Sequence, residues 1–295
     1  MAKKTKKVGM KTAVFILTNK RPDNQRTIET LDEQGYTGPI FLVCDDKDPT
    51  LKEYKKLWHG KDKIEVITFS KKKYLKKFDL MTNDVRWNAV VYARNAVYDL
   101  AKKQGLDYVI VLDDDYSVFY FNIDKTNSYQ RSKIQNLNKV FGIHVKLLRD
   151  SGLDVLAFAQ GGDFVGGWDS NIAKSGFTPR RKAMNSFFFK VDNPVAFNGI
   201  INEDSVMGVQ EGAVGRKVLT NCLIQLEQAT TQKQEGGLTE IYVDKGTYEK
   251  SFYTLLASPS STRVMYQHAV GRIHHHIVGD YAYPKFVSPD LRNKK

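Results

Sequence analysis

The sequence has little cysteine and no long apolar segment. Among its 295 residues only Cys44 and Cys222 carry thiols, which offers no disulfide framework and is typical of a reducing compartment. Nowhere do about 18 consecutive apolar residues occur, as a membrane-spanning helix would require. The basic N-terminus precedes only a short apolar run, Thr12 to Thr18, which we interpret as a strand rather than a secretion signal. We therefore expect a cytoplasmic protein that does not enter a membrane.

Acidic residues are absent from both ends of the chain. Residues 1–7 contain four lysines, and Arg292, Lys294 and Lys295 lie in the last four positions, so the two tails carry more than half of the net charge of +12. Runs of Lys and Arg gain affinity for phosphates by releasing counterions. Two further runs lie in the body, and either one alone is as well explained by a solvated face. Together with the tails they favour nucleic acid as a partner, and the candidate DNA-binding residues are Lys72, Lys73, Arg180, Arg181 and Lys182.

Short apolar runs alternate with helical spacing in the first 116 residues. Strands are predicted over Thr12–Thr18, Ile40–Cys44, Ile64–Phe69 and Asp107–Leu112, with a helix after Asp23 and another from Val85 to Gln104. Continuous apolar runs are typical of parallel strands buried on both faces. We therefore predict an α/β fold of the Rossmann-like kind, with a mostly parallel central sheet flanked by helices. Ligands of such sheets bind beyond the carboxyl ends of the strands.

The second half of the chain is less regular. A helix is predicted from Ser132 to Asp150, strands over Val155–Ala159, Phe187–Val191 and Lys217–Ile224, a glycine-rich loop over residues 160–167 and a polar loop over residues 225–237. We expect one domain over residues 11–290, with a nucleotide-binding half over residues 11–116 and an acceptor-binding half over residues 117–290. Residues 1–10 and 291–295 are expected to be basic tails.

Three adjacent carboxylates, Asp113, Asp114 and Asp115, follow the apolar strand that ends at Leu112. Like charges within a few ångströms raise one another's pKa values, so a nearby cation would remove the cost of keeping them together. Mg²⁺ and Mn²⁺ take oxygen ligands and use one or two protein carboxylates, leaving other positions to water and diphosphate. In an extended segment Asp113 and Asp115 point to one side and Asp114 to the other. A solvated acidic turn is the alternative; we favour a metal and nucleotide site.

Two later clusters also carry titratable side chains. Glu203 and Asp204 open a predicted helix, whose dipole would hold a carboxylate ionised as a general base needs. On local sequence alone a helix cap is the commoner explanation. In the run His274 to His276, the first and last imidazoles would share one face of an extended segment and could bind a metal ion. Partly buried or surface histidines are the alternative there.

The order of these motifs resembles a GT-A glycosyltransferase over most of the chain. The resemblance rests on the aspartate triplet after an apolar strand, the Ala93-Arg94-Asn95 segment before it, the Glu203-Asp204 pair and the C-terminal histidines. More narrowly, the segments Thr18 to Pro22, Val111 to Tyr116 and Ile201 to Asp204 resemble the TET/JBP-associated glycosyltransferases. These are phage-encoded relatives of the base J glucosyltransferase.

The resemblance implies a UDP-sugar donor (UDP-glucose or UDP-N-acetylglucosamine), a Mn²⁺ or Mg²⁺ ion, and a 5-hydroxymethylpyrimidine of DNA, such as 5-hydroxymethylcytosine, as acceptor. It implies that the catalytic pair is Asp204, as the base of an inverting transfer, and Glu203. Residues that would bind the nucleotide sugar are Thr18, Asn19, Arg21, Asp45, Arg94, Asp113 and Asp114. Metal ligands would be Asp113, Asp115 and His274 or His276, and it stays open which aspartate binds the ion. Stacking on a flipped-out base would fall to Trp168, Phe187 or Tyr283.

Three other functions are compatible with parts of the sequence. A glycosyltransferase of the same fold could act on a glycan or a lipid. A nucleotidyltransferase also presents carboxylates and a metal ion to a nucleoside triphosphate. A non-catalytic DNA-binding module would explain the charge but not the aspartate triplet.

Overall fold

The computed structural model describes residues 10–83, 85, 87–123, 129–160, 177–178, 182–184, 186–228, 239–268 and 271–285. Both predicted tails lie outside these residues, apart from residue 10. The same holds for Arg180, Arg181, Trp168, the glycine-rich loop after residue 160 and the polar loop after residue 228. Predictions about those parts of the chain stay predictions.

The first half alternates strands and helices. In chain order the elements are β1 (Thr12–Leu17), α1 (Arg26–Glu33), β2 (Ile40–Asp45), α2 (Leu51–Trp58), β3 (Ile64–Phe69), α3 (Lys71–Tyr74), α4 (Val91–Lys103) and β4 (Tyr108–Asp113). The four strands are parallel in the order β3-β2-β1-β4, so their carboxyl ends share one edge. Helix α4 begins six residues later than predicted: the described residues just before it lie in turns, and the exposed Trp87 ring stacks on Tyr92 in the first turn of the helix.

The second half completes a mixed sheet. Its elements are β5 (Tyr116–Ile123), β6 (Tyr129–Lys133), α5 (Leu137–Ser151), β7 (Val155–Gln160), β8 (Phe177–Thr178), β9 (Phe187–Lys190), α6 (Glu203–Ala213), β10 (Val218–Gln228), α7 (Thr239–Ala257), β11 (Thr262–Gln267), β12 (Arg272–Ile277) and α8 (Gly279–Ala282). The sheet continues from β4 in the order β9-β7-β10-β5-β6, with β8 beside β10. Strand β9 is antiparallel to both neighbours, and β5 is antiparallel to β10. The predicted α/β class with flanking helices is confirmed, but the sheet is mixed rather than mostly parallel.

Alternate residues of the central strands pack into two apolar cores. On β1, Phe15 faces the core that contains α4 and α6, whereas Val14 and Ile16 face the core that contains α1 and α5. Because successive strand residues point to opposite faces, a continuous apolar run is what a sheet covered on both sides requires. The sequence pattern of β1 is thus explained by its central position.

Strands β11 and β12 form a separate antiparallel pair that packs against α7. The Ser251 hydroxyl on α7 donates a hydrogen bond to the carbonyl of Ile273 on β12, at 3.2 Å. These three elements follow the main sheet in the chain and lie next to α6. Among the described helices, none combines the length and the apolar character that crossing a bilayer requires.

Candidate active site

Asp114 lies in a buried polar cluster at the carboxyl end of β1. Its carboxylate accepts hydrogen bonds from the Thr18 hydroxyl at 2.7 Å and from Arg21 Nη1 at 3.2 Å. The Tyr54 hydroxyl contacts the Thr18 hydroxyl at 2.7 Å and accepts the backbone N–H of Arg21 at 2.8 Å. Burial raises the pKa of Asp114 to about 6, against the opposing effect of Thr18 and Arg21. The structure thus brings three of the predicted donor-binding residues together.

Helix α1 holds the backbone of the aspartate triplet. The Thr27 hydroxyl donates to the carbonyl of Asp113 at 2.6 Å and accepts the N–H of Tyr116 at 2.9 Å, and its backbone N–H donates to the carbonyl of Asp114 at 3.1 Å. Residues 114 and 115 form the turn between β4 and β5. The extended conformation expected for the whole triplet therefore ends at Asp113, and a buried helix face fixes the direction of the turn.

Asp113 is linked to Glu203 through the buried side chain of Arg94. Arg94 Nη2 donates to Asp113 Oδ1 at 2.8 Å, and Arg94 Nε lies 3.7 Å from Glu203 Oε1. The guanidinium also lies 4.9 Å from the ring centroid of Phe187 and is 1% exposed. Arg94 thus bridges the triplet and the acid pair. Its predicted contact with the diphosphate stays a prediction.

Asp115 has the chemical character of a cation ligand. One of its carboxylate oxygens is buried, and among the described residues it has no hydrogen-bond partner. Burial, followed by the charges of Asp113 and Asp114, raises the pKa of Asp115 to about 7. An unpaired buried carboxylate oxygen is costly, and a hard divalent ion would remove that cost.

The described residues contain no group of three or more His, Cys, Asp or Glu side chains arranged to hold a metal ion. The predicted combination of the aspartates with His274 or His276 is therefore not assembled in this part of the chain. Asp113 and Asp115, the two predicted carboxylate ligands, stay candidates for an ion that keeps most of its positions for water and diphosphate. A metal role for either histidine stays a prediction.

Glu203 and Asp204 are the first residues of α6, as predicted. Asp204 is half-buried, and its Oδ1 accepts the N–H of Ser205 at 2.6 Å. Glu203 is buried, and burial together with the charge of Asp204 raises its pKa. Burial of Glu203 therefore disfavours its ionised form, and the carboxylate predicted to act as the base is its neighbour, Asp204. Asp204, which is the more exposed of the two, fits a base that meets an acceptor from solvent.

The middle histidine of the triplet faces the site. His275 is buried and its Nδ1 lies 3.0 Å from the side-chain nitrogen of Asn202, the residue before Glu203. His274 is half-buried with Nδ1 2.7 Å from the carbonyl of His275, and His276 is exposed. The alternation of β12 therefore turns His275 inward, on the face opposite to the two predicted ligands.

The family of the chain can be decided with this geometry in view. A model of the family described as TET-Associated Glycosyltransferase matches residues 12–237, which include both acidic motifs. The chain belongs to this family. The resemblance drawn from the order of its motifs is therefore confirmed.

Two solved structures resemble the chain at low sequence identity. Residues 1–349 of TarS from S. aureus, in complex with UDP, share 14% identity at a TM-score of 0.42, over 75% of this chain and 61% of that one. GalNAc-T7 with UDP, GalNAc and Mn²⁺ shares 13% identity at a TM-score of 0.47, over 86% of this chain and 51% of that one. The chain thus spans between half and two thirds of these proteins' lengths. No curated protein sequence matches it.

The remaining predicted binding residues lie apart from the triplet. Asp45, at the end of β2, pairs with Lys71 Nζ at 3.0 Å through one oxygen; its other oxygen is buried and has no hydrogen-bond partner among the described residues. Asn19 is half-buried directly after β1. Lys72 on α3 is exposed, whereas Lys73 lies 3.8 Å from the carboxylate of Asp99. The predicted positions of Asp45 and Asn19 at the carboxyl edge are thus observed, and their roles stay predictions.

Lys182 lies close to the predicted histidines, whereas the candidate stacking residues Phe187 and Tyr283 are buried. Lys182 lies near His275 and contributes to lowering the pKa of that histidine. Phe187 is fully buried beneath Arg94, and Tyr283 is buried against Gly208 and Gly212 of α6. Neither aromatic ring is placed to stack on a base, because both are part of the packed interior.

Several residues of the site were not predicted from the sequence. They are Gln25, Thr27, Thr30, Tyr54, Lys71, Asn202 and His275. A signal existed for Thr27 and Thr30: together with Gln34, which directly follows α1, they have the spacing of an inner helix face, where apolar residues are usual, and all three are buried. Buried hydroxyls and amides require hydrogen-bond partners, and here those partners are the backbone of the triplet and of β5.

Proposed function

We propose that the protein transfers a sugar from a UDP-sugar to the hydroxyl of a 5-hydroxymethylpyrimidine in DNA, with inversion at the anomeric carbon. The observation that carries the proposal is the linkage of two acidic motifs through buried Arg94. Asp113 at the carboxyl edge of the parallel strands and Glu203 at the start of α6 contact the same guanidinium. A donor site and a candidate base are therefore held next to one another.

The donor would lie along the carboxyl edge of β1, β2 and β4. Thr18, Arg21 and Asp114 form one buried polar cluster there, and Asp45 contributes an unpaired carboxylate oxygen from the neighbouring strand. Ligands of parallel sheets bind at such an edge. We assign these residues to the nucleoside of the donor, with Asn19 beside them.

Asp113 and Asp115 are the residues that would hold a Mn²⁺ or Mg²⁺ ion. The buried, unpaired oxygen of Asp115 and the partly exposed carboxylate of Asp113 fit a hard cation. Such an ion, when bound, neutralises charge on the departing diphosphate.

Asp204 is assigned as the general base. It takes the proton from the acceptor hydroxyl while that oxygen forms a bond to the anomeric carbon, and the bond from this carbon to the diphosphate breaks with its electron pair leaving on UDP. A base must lie within hydrogen-bond reach of the proton that it takes, and the half-buried carboxylate of Asp204 is open to an incoming hydroxyl. Glu203, which is more buried, supports the orientation of Arg94.

The DNA acceptor is supported by family membership and by charge. The net charge of +12 and the exposed Lys72 beside Lys73 suit a polyanion. We propose that the enzyme meets DNA in the cytoplasm of a phage-infected host.

The acceptor is tested by incubating the purified protein with Mn²⁺ and UDP-glucose or UDP-N-acetylglucosamine. Three acceptors are compared: hydroxymethylated DNA, unmodified DNA of the same sequence, and a glycan. Release of UDP and a hexose mass added to the modified nucleoside are expected with the first alone. Transfer to the glycan but not to DNA would contradict the proposal, and release of pyrophosphate from a nucleoside triphosphate would indicate a nucleotidyltransferase.

The catalytic assignments are tested with two substitutions. Asp204→Asn should retain UDP-sugar binding and lose transfer by at least about 100-fold, the order expected for a positioned base. Asp115→Asn should lose both Mn²⁺-dependent donor binding and transfer. The exposed Asp62→Asn serves as the control, because it changes one carboxylate in the turn between α2 and β3. Normal transfer by either active-site variant would remove the role assigned to that residue.

A further inference from the structure

Asn202 holds an unusual backbone conformation directly before the acid pair. Its φ of 59° and ψ of 28° lie in the left-handed region, and α6 begins at the next residue, Glu203. Non-glycine residues adopt this region at an energetic cost, although Asn tolerates it better than most. The orientation of the Glu203 and Asp204 side chains therefore depends on the backbone conformation of Asn202 and on the contacts that maintain it.

Three buried contacts hold the Asn202 side chain, and all come from the C-terminal elements. Its Nδ2 lies 2.9 Å from the carbonyl oxygen of Lys250 and 3.3 Å from the hydroxyl of Thr254, both on α7. It also lies 3.0 Å from Nδ1 of His275 on β12. Because a carbonyl oxygen only accepts, the atom that faces Lys250 must be the amide nitrogen rather than the amide oxygen.

The same constraint fixes the protonation of His275. Facing an N–H donor, its Nδ1 must be the accepting nitrogen, so the ring is neutral with its proton on Nε2. A cationic imidazole could not accept from Asn202 at either nitrogen.

We propose that His275 is a positioning residue that acts through Asn202 to orient the catalytic acid pair Glu203–Asp204. The proposal rests on the function proposed above, since it takes Asp204 as the base. It assigns a role to the middle histidine of the triplet that differs from metal binding. It also assigns a function to α7 and β12, which lie beyond the residues matched by the family model, 12–237.

The decisive comparison uses two substitutions at one position. In His275→Ala the hydrogen-bond acceptor for Asn202 is removed, whereas in His275→Asn the side-chain Oδ1 takes the place of Nδ1. We expect His275→Ala to lower kcat by about 10- to 100-fold, the cost of a small misplacement of reacting groups, with UDP-sugar affinity unchanged. His275→Asn should recover most of kcat even if its melting temperature falls. His268→Ala is the control, because His268 lies exposed directly after β11.

Asn202→Gly tests the same contact from the other side. Glycine adopts the left-handed conformation without strain, so this variant keeps the backbone and removes only the amide. Its kcat should fall at least as far as in His275→Ala, because the amide also contacts Lys250 and Thr254. Combining the two substitutions should lower kcat no further than Asn202→Gly alone, because residues that act through one contact are not additive. If His275→Ala does not fold, His275→Leu, which also removes the acceptor, takes its place in the comparison with His275→Asn.

Two results would overturn the proposal. One is a wild-type kcat per folded molecule in His275→Ala or in Asn202→Gly. The other is a kcat for His275→Asn as low as that for His275→Ala, which would mean that the acceptor atom is not what matters. The variant Asp204→Asn distinguishes a failure of the proposed function, because normal transfer by that variant would show that Asp204 is not the base. Inactivity of Asp204→Asn with full activity of His275→Ala would remove the positioning role alone.

Discussion

The three carboxylates of the aspartate triplet have different partners for their negative charge. Asp114 faces Thr18 and Arg21, Asp113 faces Arg94, and Asp115 has an unpaired buried oxygen. The sequence predicts that three adjacent carboxylates need a compensating charge. It does not show that the protein itself supplies two of the partners, because Arg21 and Arg94 are far from the triplet along the chain.

Arg94 should contribute far more to stability than an exposed arginine. Arg94→Leu leaves the charge of Asp113 and the Glu203 side chain in a buried environment, and breaking a buried pair on one side costs about 3–5 kcal/mol in the free energy of unfolding. The matched control is Arg26→Leu, which removes a pair with Glu29 that is about half exposed and should cost less than about 1 kcal/mol. Urea denaturation of both variants measures the difference, and equal losses would contradict the buried bridge.

Stability of the ligand-free protein should fall as pH rises, and a divalent ion should reverse the trend. Burial raises the pKa of Asp114 to about 6 and of Asp115 to about 7. The folded state then binds protons more tightly than the unfolded state, so these groups stabilise it at low pH and lose that contribution as pH rises towards about 7. A metal ion needs the deprotonated carboxylates.

Thermal denaturation at about pH 5.5 and about pH 8, with and without Mn²⁺ and UDP, measures this linkage. The increase in melting temperature should be larger at the higher pH, and Asp115→Asn should reduce it. An increase of the same size at both pH values would mean that neither carboxylate binds the ion.

Elements of the first half were predictable because β1, β2 and β4 are nearly continuous apolar runs, whereas β3, at the edge of the sheet, alternates buried Ile64 and Val66 with exposed Glu65. The antiparallel strand β9 is also a short apolar run, and nothing in the sequence from Phe187 to Lys190 indicates its direction between β4 and β7. Strand β5 was not predicted because it follows the triplet with only a turn between them. Direction and neighbours in a sheet depend on long-range pairing, which local periodicity does not contain.

Helix α6 should tolerate no side chain at Gly212. A Cβ built there would lie 2.2 Å from the carbonyl oxygen of Ala282 on α8, whereas one at Gly142 on α5 would meet no atom within 4 Å. We expect Gly212→Ala to destabilise the fold by about 1–3 kcal/mol through overpacking. Gly142→Ala should stabilise it by up to about 1 kcal/mol, because alanine favours a helix. Chemical denaturation compares the two, and a stabilising Gly212→Ala would show that α8 is not packed against α6.

At the scale of the whole molecule, the net charge of +12 is the feature on which the proposed DNA acceptor can be tested. The tails and the two basic runs were predicted to meet DNA, but the tails and Arg180–Arg181 lie outside the described residues. Lys72 and Lys73 can be tested where they stand, on α3, which follows β3 at the carboxyl edge of the sheet. Lys55 and Lys56 on α2 are also exposed. Helix α2 packs into the core on one face of the sheet and α3 into the core on the other face, so the two pairs carry the same charge on different faces of the fold.

The double variant Lys72→Glu with Lys73→Glu should weaken DNA binding more than Lys55→Glu with Lys56→Glu. The slope of log affinity against log salt should fall by about 1 for each phosphate that the protein no longer neutralises. A reduction of about 1–2 is therefore expected for the first pair and none for the second. Fluorescence anisotropy with a duplex at several salt concentrations provides both slopes. Because the substitutions change net charge equally, a general electrostatic effect would lower both slopes alike. That outcome would place the DNA surface elsewhere than at the carboxyl edge, where the donor site and Asp204 require it.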